Sequence, residues 1–244
     1  MLKVELHAHT SDDPVDRIPH TSRELIDRAA DLGYHALAIT LHERQLDIAP
    51  LRPYAADRGI VLIPGIERSI HGCHVLLLNF SPAAEQVSSF DDLARLRRRE
   101  RGLVVAPHPY FPAGHCLGTL LDQHASLFDA VEWHGLFTRT ANFNREASRW
   151  ARRHGRPMVG NNDVHRLYQL GTCYSLVDAA PEPAAIIEAV RAGRVYVQAQ
   201  PLTAFQVACT LCDLFGTDFA VKFGLLTHPG AGVEARPQGA LSRS

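Results

Sequence analysis

Short apolar runs alternate with amphipathic stretches from the first residues to about position 200. The runs KVELHAH (3–9), HALAIT (35–40), IVLIPGIE (60–67), HVLLLNF (74–80), LVVAPHP (103–109), AVEWHG (130–135) and PMVGNND (157–163) read as strands. Most are rich in Val, Leu and Ile, the composition of strands covered on both faces. Between them, SRELIDRAADLG (22–33) puts Leu25, Ala29 and Leu32 on one helical face and stops at Gly33. Segments 90–102 and 142–155 repeat that pattern, and 181–193 carries proline near its start and Gly193 at its end. Strands alternating with helices predict parallel βαβ units, and about seven of them in one domain predict a barrel or a large open sheet. The expected domain covers 1–200. In the extension 201–244, QVACTLCDLF reads as helix and the Pro/Gly-rich 228–244 as a frayed tail.

Composition narrows the classes. The chain has 244 residues, 46% hydrophobic and 21% charged, which supports a full core and excludes wholesale disorder. Lys+Arg is 25 against Asp+Glu 26, so no basic field points to nucleic acid or an anionic membrane. Only Lys3 and Lys222 are lysines, which argues against Schiff-base chemistry and a Gly-Lys phosphate loop. No apolar run reaches the length of a signal peptide core or a membrane span, and the five cysteines are an odd number. The expectation is a reduced, cytoplasmic protein. Cys209-Thr-Leu-Cys212 has redox-motif spacing, but its apolar helical setting favours a buried structural pair. The arginine run 95–101 reads as a solvated helix face.

Histidine is the outlying residue, at 14. In α/β folds chemistry gathers at the C-terminal ends of the strands. The polar residues that interrupt these strands fall there: His7 and His9, Thr40-Leu41-His42-Glu43, Glu67, His108 between two prolines, and Asp163 with His165. His74 begins its strand, but a hairpin-like return from Glu67 brings it to the same face. So many imidazoles packed together would repel one another once protonated. Divalent cations explain the convergence, and nitrogen and oxygen donors without thiolate suit catalytic Zn, Mn or Fe(II).

In the order His7-Ala-His9-Thr10, AITLHE, PGIE, HVLLLNF, APHP and GNNDVH followed by Gly171, the chain resembles the polymerase-and-histidinol-phosphatase (PHP) family of metal-dependent phosphoesterases across about residues 3–178. The resemblance implies a distorted (β/α)7 TIM-like barrel with two or three metal ions at its C-terminal face. It implies His7, His9, Glu67 and Asp163 around a first ion, with Glu67 bridging to a second held by His74 and His108. An aspartate after the first motif, His42 and His165 would hold a third. Asp12 and Asp13 both fit by spacing, with Pro14 favouring Asp13. The same carry-over gives Glu67, Asp163 and His165 the catalytic roles. One departure is Leu41, where family members commonly carry a polar residue. His20 and His71 read as surface-loop residues. For His134, substrate contact and hydrogen-bonded support of a ligand stand equally. Arg68, Arg139 and Arg166 are candidate phosphate clamps or plain surface charges.

The implied activity is hydrolysis of a small phosphate monoester by a metal-activated hydroxide. An exonuclease acting on nucleic-acid ends is the first alternative, weakened by the neutral charge balance. A non-enzymatic metal-binding or regulatory protein is the second. The expected partner is a small phosphorylated substrate, with nucleic acid less favoured and no membrane.

Overall fold

The computed structural model describes residues 1–222. The nine strands are β1 (Leu2–Glu5), β2 (Ala36–Ile39), β3 (Val61–Ile70), β4 (Cys73–Leu78), β5 (Leu103–Ala106), β6 (Ala130–His134), β7 (Met158–Asn161), β8 (Cys173–Val177) and β9 (Val195–Ala199). The α-helices are α1 (Ser22–Asp31), α2 (Arg52–Ala56), α3 (Phe90–Arg99), α4 (Leu120–Gln123), α5 (Asn144–His154), α6 (Pro183–Arg191) and α7 (Ala204–Lys222). The strands form one sheet in the order β7-β6-β5-β4-β3-β2-β1-β8-β9. Ladders β1–β2, β2–β3, β5–β6 and β6–β7 are parallel, whereas β4 runs against both neighbours, as the expected hairpin return requires.

Period-two alternation sorts the side chains. Ala36 and Ala38 of β2 point into the barrel with Val4, Leu6, Ile63, Val105 and Val159, where α6 adds Ile186, Ile187 and Val190. Leu37 and Ile39 point outward onto Leu25, Ile26 and Ala29 of α1. That helix starts on a capping box: Thr21 Oγ1 accepts from Glu24 N, and Glu24 reaches back to Thr21 N. Apolar rows on α3 and α5 (Leu93, Leu96, Ala147, Trp150) pack outside the other half of the sheet.

Three expectations need correction. β8 and β9 lie within the expected domain but were not read as strands. Both pair antiparallel, so their side chains alternate between covered and open positions and lack a continuous apolar run. β3 does not end at Glu67 but continues to Ile70, so the β3–β4 hairpin projects above the barrel. Cys209 and Cys212 are free and exposed among the described residues, not a buried pair. The frayed-tail expectation for 228–244 lies outside the described residues. Within the arginine run, Arg97 does more than face solvent, because its guanidinium forks onto Asp129 at 2.7 and 2.9 Å. No helix among the described residues is long and apolar enough to cross a membrane.

The sheet nearly closes. At the lower end β7 meets β8 without a ladder, and Ser175 Oγ accepts from Gly160 N at 2.8 Å and donates to Gly160 O at 3.2 Å. At the upper end, Ala8 and Val164 form a parallel bridge, with His9 N donating to Val164 O at 3.0 Å and Val164 N to His7 O at 3.2 Å. A Cβ on Gly160 would stand 2.8 Å from Tyr174 O and 2.9 Å from Val197 Cγ1. Gly160→Ala should therefore destabilise the fold by about 1–3 kcal/mol through overpacking of the seam. Gly114→Ala, with open space around its Cβ, should be near neutral. Equal urea midpoints for the two variants would show that the seam does not hold the barrel shut.

Candidate metal centre

The upper bridge carries the site, because it holds the residues after β1 beside those after β7. His7 and His9 alternate with Ala8, so both rings face inward, and Asp163 and His165 flank Val164 on the other side. His42 follows β2 and pairs with Glu67 through a second parallel bridge. His74 lies opposite Ser69 in the β3–β4 ladder, and His108 follows β5. Asp163 and His108 both have positive φ, +52° and +29°, where a side chain is strained.

Glu67 is the hub. Its Oε2 lies 3.3, 3.2 and 3.2 Å from Nε2 of His7, His9 and His42. Its Oε1 lies 2.7 Å from His74 Nδ1 and 3.3 Å from His108 Nε2. Asp163 Oδ1 lies 3.2, 3.1 and 3.3 Å from His7 Nε2, His9 Nε2 and His165 Nδ1. One carboxylate thus divides the imidazoles into two groups, and a second faces the larger group.

Three buried atoms in this cluster, His9 Nε2, His74 Nδ1 and Asp163 Oδ1, make no hydrogen bond. Buried polar atoms without hydrogen bonds are costly, and donors converging on carboxylates fit divalent cations. The groups His7, His9, Glu67, Asp163 and His42, Glu67, His74 each place their donor atoms within 4.8 Å of one another. So do His9, Asp13, His42 and His74, His108, His115. The residues present fit the group.

Electrostatics agree. Burial alone would raise the Glu67 and Asp163 carboxyls, yet the surrounding histidines hold both well below the ordinary range. Burial likewise opposes protonation of His7 and His9, but Asp163 and Glu67, joined by Glu132 at His7 and by Asp13 at His9, drive both well above their ordinary value. Against the same opposition, Asp163 and Asp16 raise His165 to about 9. Without metal, protons serve as the counter-charge.

Asp13 Oδ2 lies 2.9 Å from His9 Nδ1 and 3.1 Å from His42 Nδ1, and accepts from His42 N at 2.9 Å. Asp12 turns away, accepting from Ser22 Oγ at 3.1 Å. His165 stands 6.3 Å ring to ring from His42, with its Nε2 3.0 Å from Asp16, a carboxylate the sequence reading did not name. The implied third set is therefore gathered only in part. His134 Nε2 lies 3.6 Å from Asp163 Oδ2, and His134 lines the cavity. Arg68 pairs with Glu43 and donates to Val87 O at 2.9 Å, while Arg139 is exposed; neither lines the cavity. Arg166 does line it, but its Nε donates to Asp213 at 3.1 Å and its Nη1 to His165 O at 2.9 Å. Exposed Arg17, which sequence reasoning missed, lines the same cavity and enters no ion pair among the described residues. His71 sits exposed in the β3–β4 turn, but His20 is buried, its Nε2 2.9 Å from His9 O, and is no surface-loop residue. Leu41 is buried among the side chains that cover α1, so no polar group could be accommodated there without a partner.

Three further residues went unread. Fully buried Glu132 receives His7 Nδ1 at 2.9 Å, Asn161 Nδ2 at 3.0 Å and His108 N at 2.8 Å, fixing the His7 ring from behind and the backbone at His108. Buried Glu5, raised to about 8 by burial, accepts from His7 N and from Asn162. Each is a glutamate inside an otherwise apolar strand, a conflict visible in the sequence. His115 gave no such signal. It stacks on His74 at 4.5 Å, and desolvation with neighbouring His108 and His74 pushes it down to about 4.

A PHP-associated family profile matches residues 141–195. The fold matches a two-domain protein from Bacteroides vulgatus ATCC 8482 containing a predicted PHP-like metal-dependent phosphoesterase (TM-score 0.64, 20% identity, 82% of this chain). The chain is PHP-like in fold. It spans 65% of the length of that Bacteroides protein. A second structural match is an amidohydrolase from Chromobacterium violaceum, determined with bound sulfate and no metal (TM-score 0.57, 18% identity, 79% of this chain and 97% of that one). A third is the lesion-specific endonuclease Q of Pyrococcus furiosus (TM-score 0.53, 14% identity, 80% of this chain and 57% of that one). No curated protein matches the sequence.

Protons and metals competing for one cluster give opposite pH responses. A histidine raised from 6.5 to about 9 on folding stabilises fully below 6.5 and loses that contribution as pH rises through 9. Chelator-treated protein should therefore melt lower at pH 9 than at pH 6.5. Protein carrying its ions should gain Tm over the metal-free form as pH rises, because ligands shed protons to bind. Elemental analysis should find at least two transition-metal ions per chain. Less than one ion, with no uptake on soaking, rules out a multi-metal centre.

Proposed function

We propose that this protein is a metal-dependent phosphomonoesterase acting on a small phosphate ester. The observation that carries the reading is Glu67, whose two oxygens face separate histidine groups on the wall of one cavity of about 450 Å³. That volume suits a small ligand. His7, His9, Glu67 and Asp163 would hold one ion and His74 and His108, sharing Glu67, a second. Asp13 with His42, and His165 with Asp16, are the donors nearest a third. Divalent ions there supply Lewis acidity and acidify water near neutral pH.

The chain's own groups do the rest. Glu132 fixes the His7 ring and, through His108 N, the backbone beside a strained ligand, so the donors are preorganised rather than ordered on binding. Arg17 at the mouth and the half-exposed loop around Phe111 to Ala113 border the space left for the ester. A guanidinium there neutralises phosphate oxygens as charge develops. His134, 3.6 Å from Asp163, can hold that carboxylate in place or donate to a departing oxygen. The sulfate in the Chromobacterium structure has the shape and charge of such a phosphate. Endonuclease Q makes nucleic acid the rival substrate, but a net charge of −1 offers little to hold a polynucleotide backbone.

Glu67→Gln should lower turnover by more than the roughly 10–100-fold typical of groups behind a ligand, and by more than His165→Gln, because an amide cannot balance two cations. Near-normal turnover of Glu67→Gln with unchanged metal content removes Glu67 as the bridge.

The metal-loaded protein should release inorganic phosphate from p-nitrophenyl phosphate or a mononucleotide, with little cutting of labelled single-stranded DNA. DNA degradation without phosphate release from any small ester moves the assignment to a nuclease. Action on neither supports a non-enzymatic protein.

A further inference from the structure

A second cavity, of about 320 Å³, lies beside the metal centre and has no part in the mechanism above. Leu136 and Gln169 line both cavities. Helix α7 contributes to both as well: Leu211 and Leu214 face the cavity of the histidine cluster, and Phe205 and Cys209 the second. Asp213 fastens the helix there, receiving Arg166 Nε and the Tyr168 hydroxyl, each at 3.1 Å.

The polar groups around the second cavity are engaged within the protein. Gln169 Oε1 accepts from His165 N at 2.8 Å and Arg166 N at 2.7 Å. Thr172 Oγ1 donates to Asn162 Oδ1 at 2.6 Å, and the Tyr168 hydroxyl is on Asp213. Most of what remains for a ligand is carbon: Leu136, Leu202, the ring of Phe205 and the Cys209 side chain, with the amide nitrogens of Gln169 and Gln206 at the wall. Phe205 is 77% exposed, so its ring is open to contact with a ligand.

We propose that this cavity receives the apolar group of the substrate, so that the ester's phosphate sits at the histidine cluster while an alkyl or aryl substituent runs past Leu136 beneath α7. The proposal rests on the phosphatase reading for the identity of the head group. It commits to a phosphate ester of an apolar alcohol, because the two cavities share walls and only the first carries charge.

The test uses the full chain loaded with Mn(II) and two series of probes. In the first, kcat/KM is measured for n-alkyl phosphates from ethyl to octyl. It should rise about threefold to fourfold per added methylene until the cavity is filled. In the second, calorimetry follows binding of the non-hydrolysable n-alkylphosphonates, whose affinities should climb in parallel. Cys209→Asp places a charge in the second cavity at an exposed helix position, so folding should survive, as a Tm check will show. It should flatten both series. Hydrolysis without chain-length dependence overturns this proposal and leaves the phosphatase reading standing. Chain-length-dependent binding without hydrolysis of any ester does the reverse. A slope unchanged in Cys209→Asp places the tail elsewhere and overturns the assignment, as does a flat series in both measurements.

Discussion

A carboxylate with almost no exposure to water cannot remain ionised unless positive charge stands beside it. Glu67 is in that position, and much of the upper barrel serves to meet its demand. Five histidines from three strand ends and one hairpin present nitrogen to its two oxygens. Three of those rings are oriented in turn from behind, His7 by Glu132 and His9 and His42 by Asp13. The seam between Ala8 and Val164 then follows as a geometric necessity, since it delivers Asp163 to the same place. Sequence distances of more than a hundred residues collapse here because a barrel returns its last parallel strand to its first.

Much of this was legible in the chain. The strands that are parallel and doubly covered announce themselves as unbroken apolar runs, and the polar residues interrupting their ends proved to converge. His74, at the wrong end of its strand, was placed by recognising that so short a link permits only a hairpin. What escaped notice has physical reasons. β8 and β9 are short and antiparallel, with alternation too brief to stand out. Glu5 and Glu132 lie inside apolar strand runs, where a buried acid implies partners that the run itself does not name. His20 was read as surface because its segment is polar, yet its ring reaches the His9 carbonyl. The choice between Asp12 and Asp13 turned on backbone geometry that spacing does not encode. Asp16 and His115 enter through loops whose path no periodicity describes.

Helix α7 changes how the C-terminal extension should be understood. Its residues do not extend the sheet, but they supply a wall of the cavity in which the donors sit. Arg166, which looked like a candidate for binding phosphate, instead joins that wall to the loop carrying Asp163 and His165. A side chain that positions a helix over the site is compatible with a site whose first contacts with ligand come from elsewhere.

The left-handed backbone at His108 and Asp163 has an evolutionary corollary. Each such residue costs on the order of 1–3 kcal/mol relative to relaxed backbone. Glycine at either position would relieve it. A lineage that ceased to need the ions would therefore gain stability by losing these two side chains, and drift would remove them early. At these two positions the backbone therefore bears a cost that glycine would spare it, in exchange for a donor that glycine cannot offer.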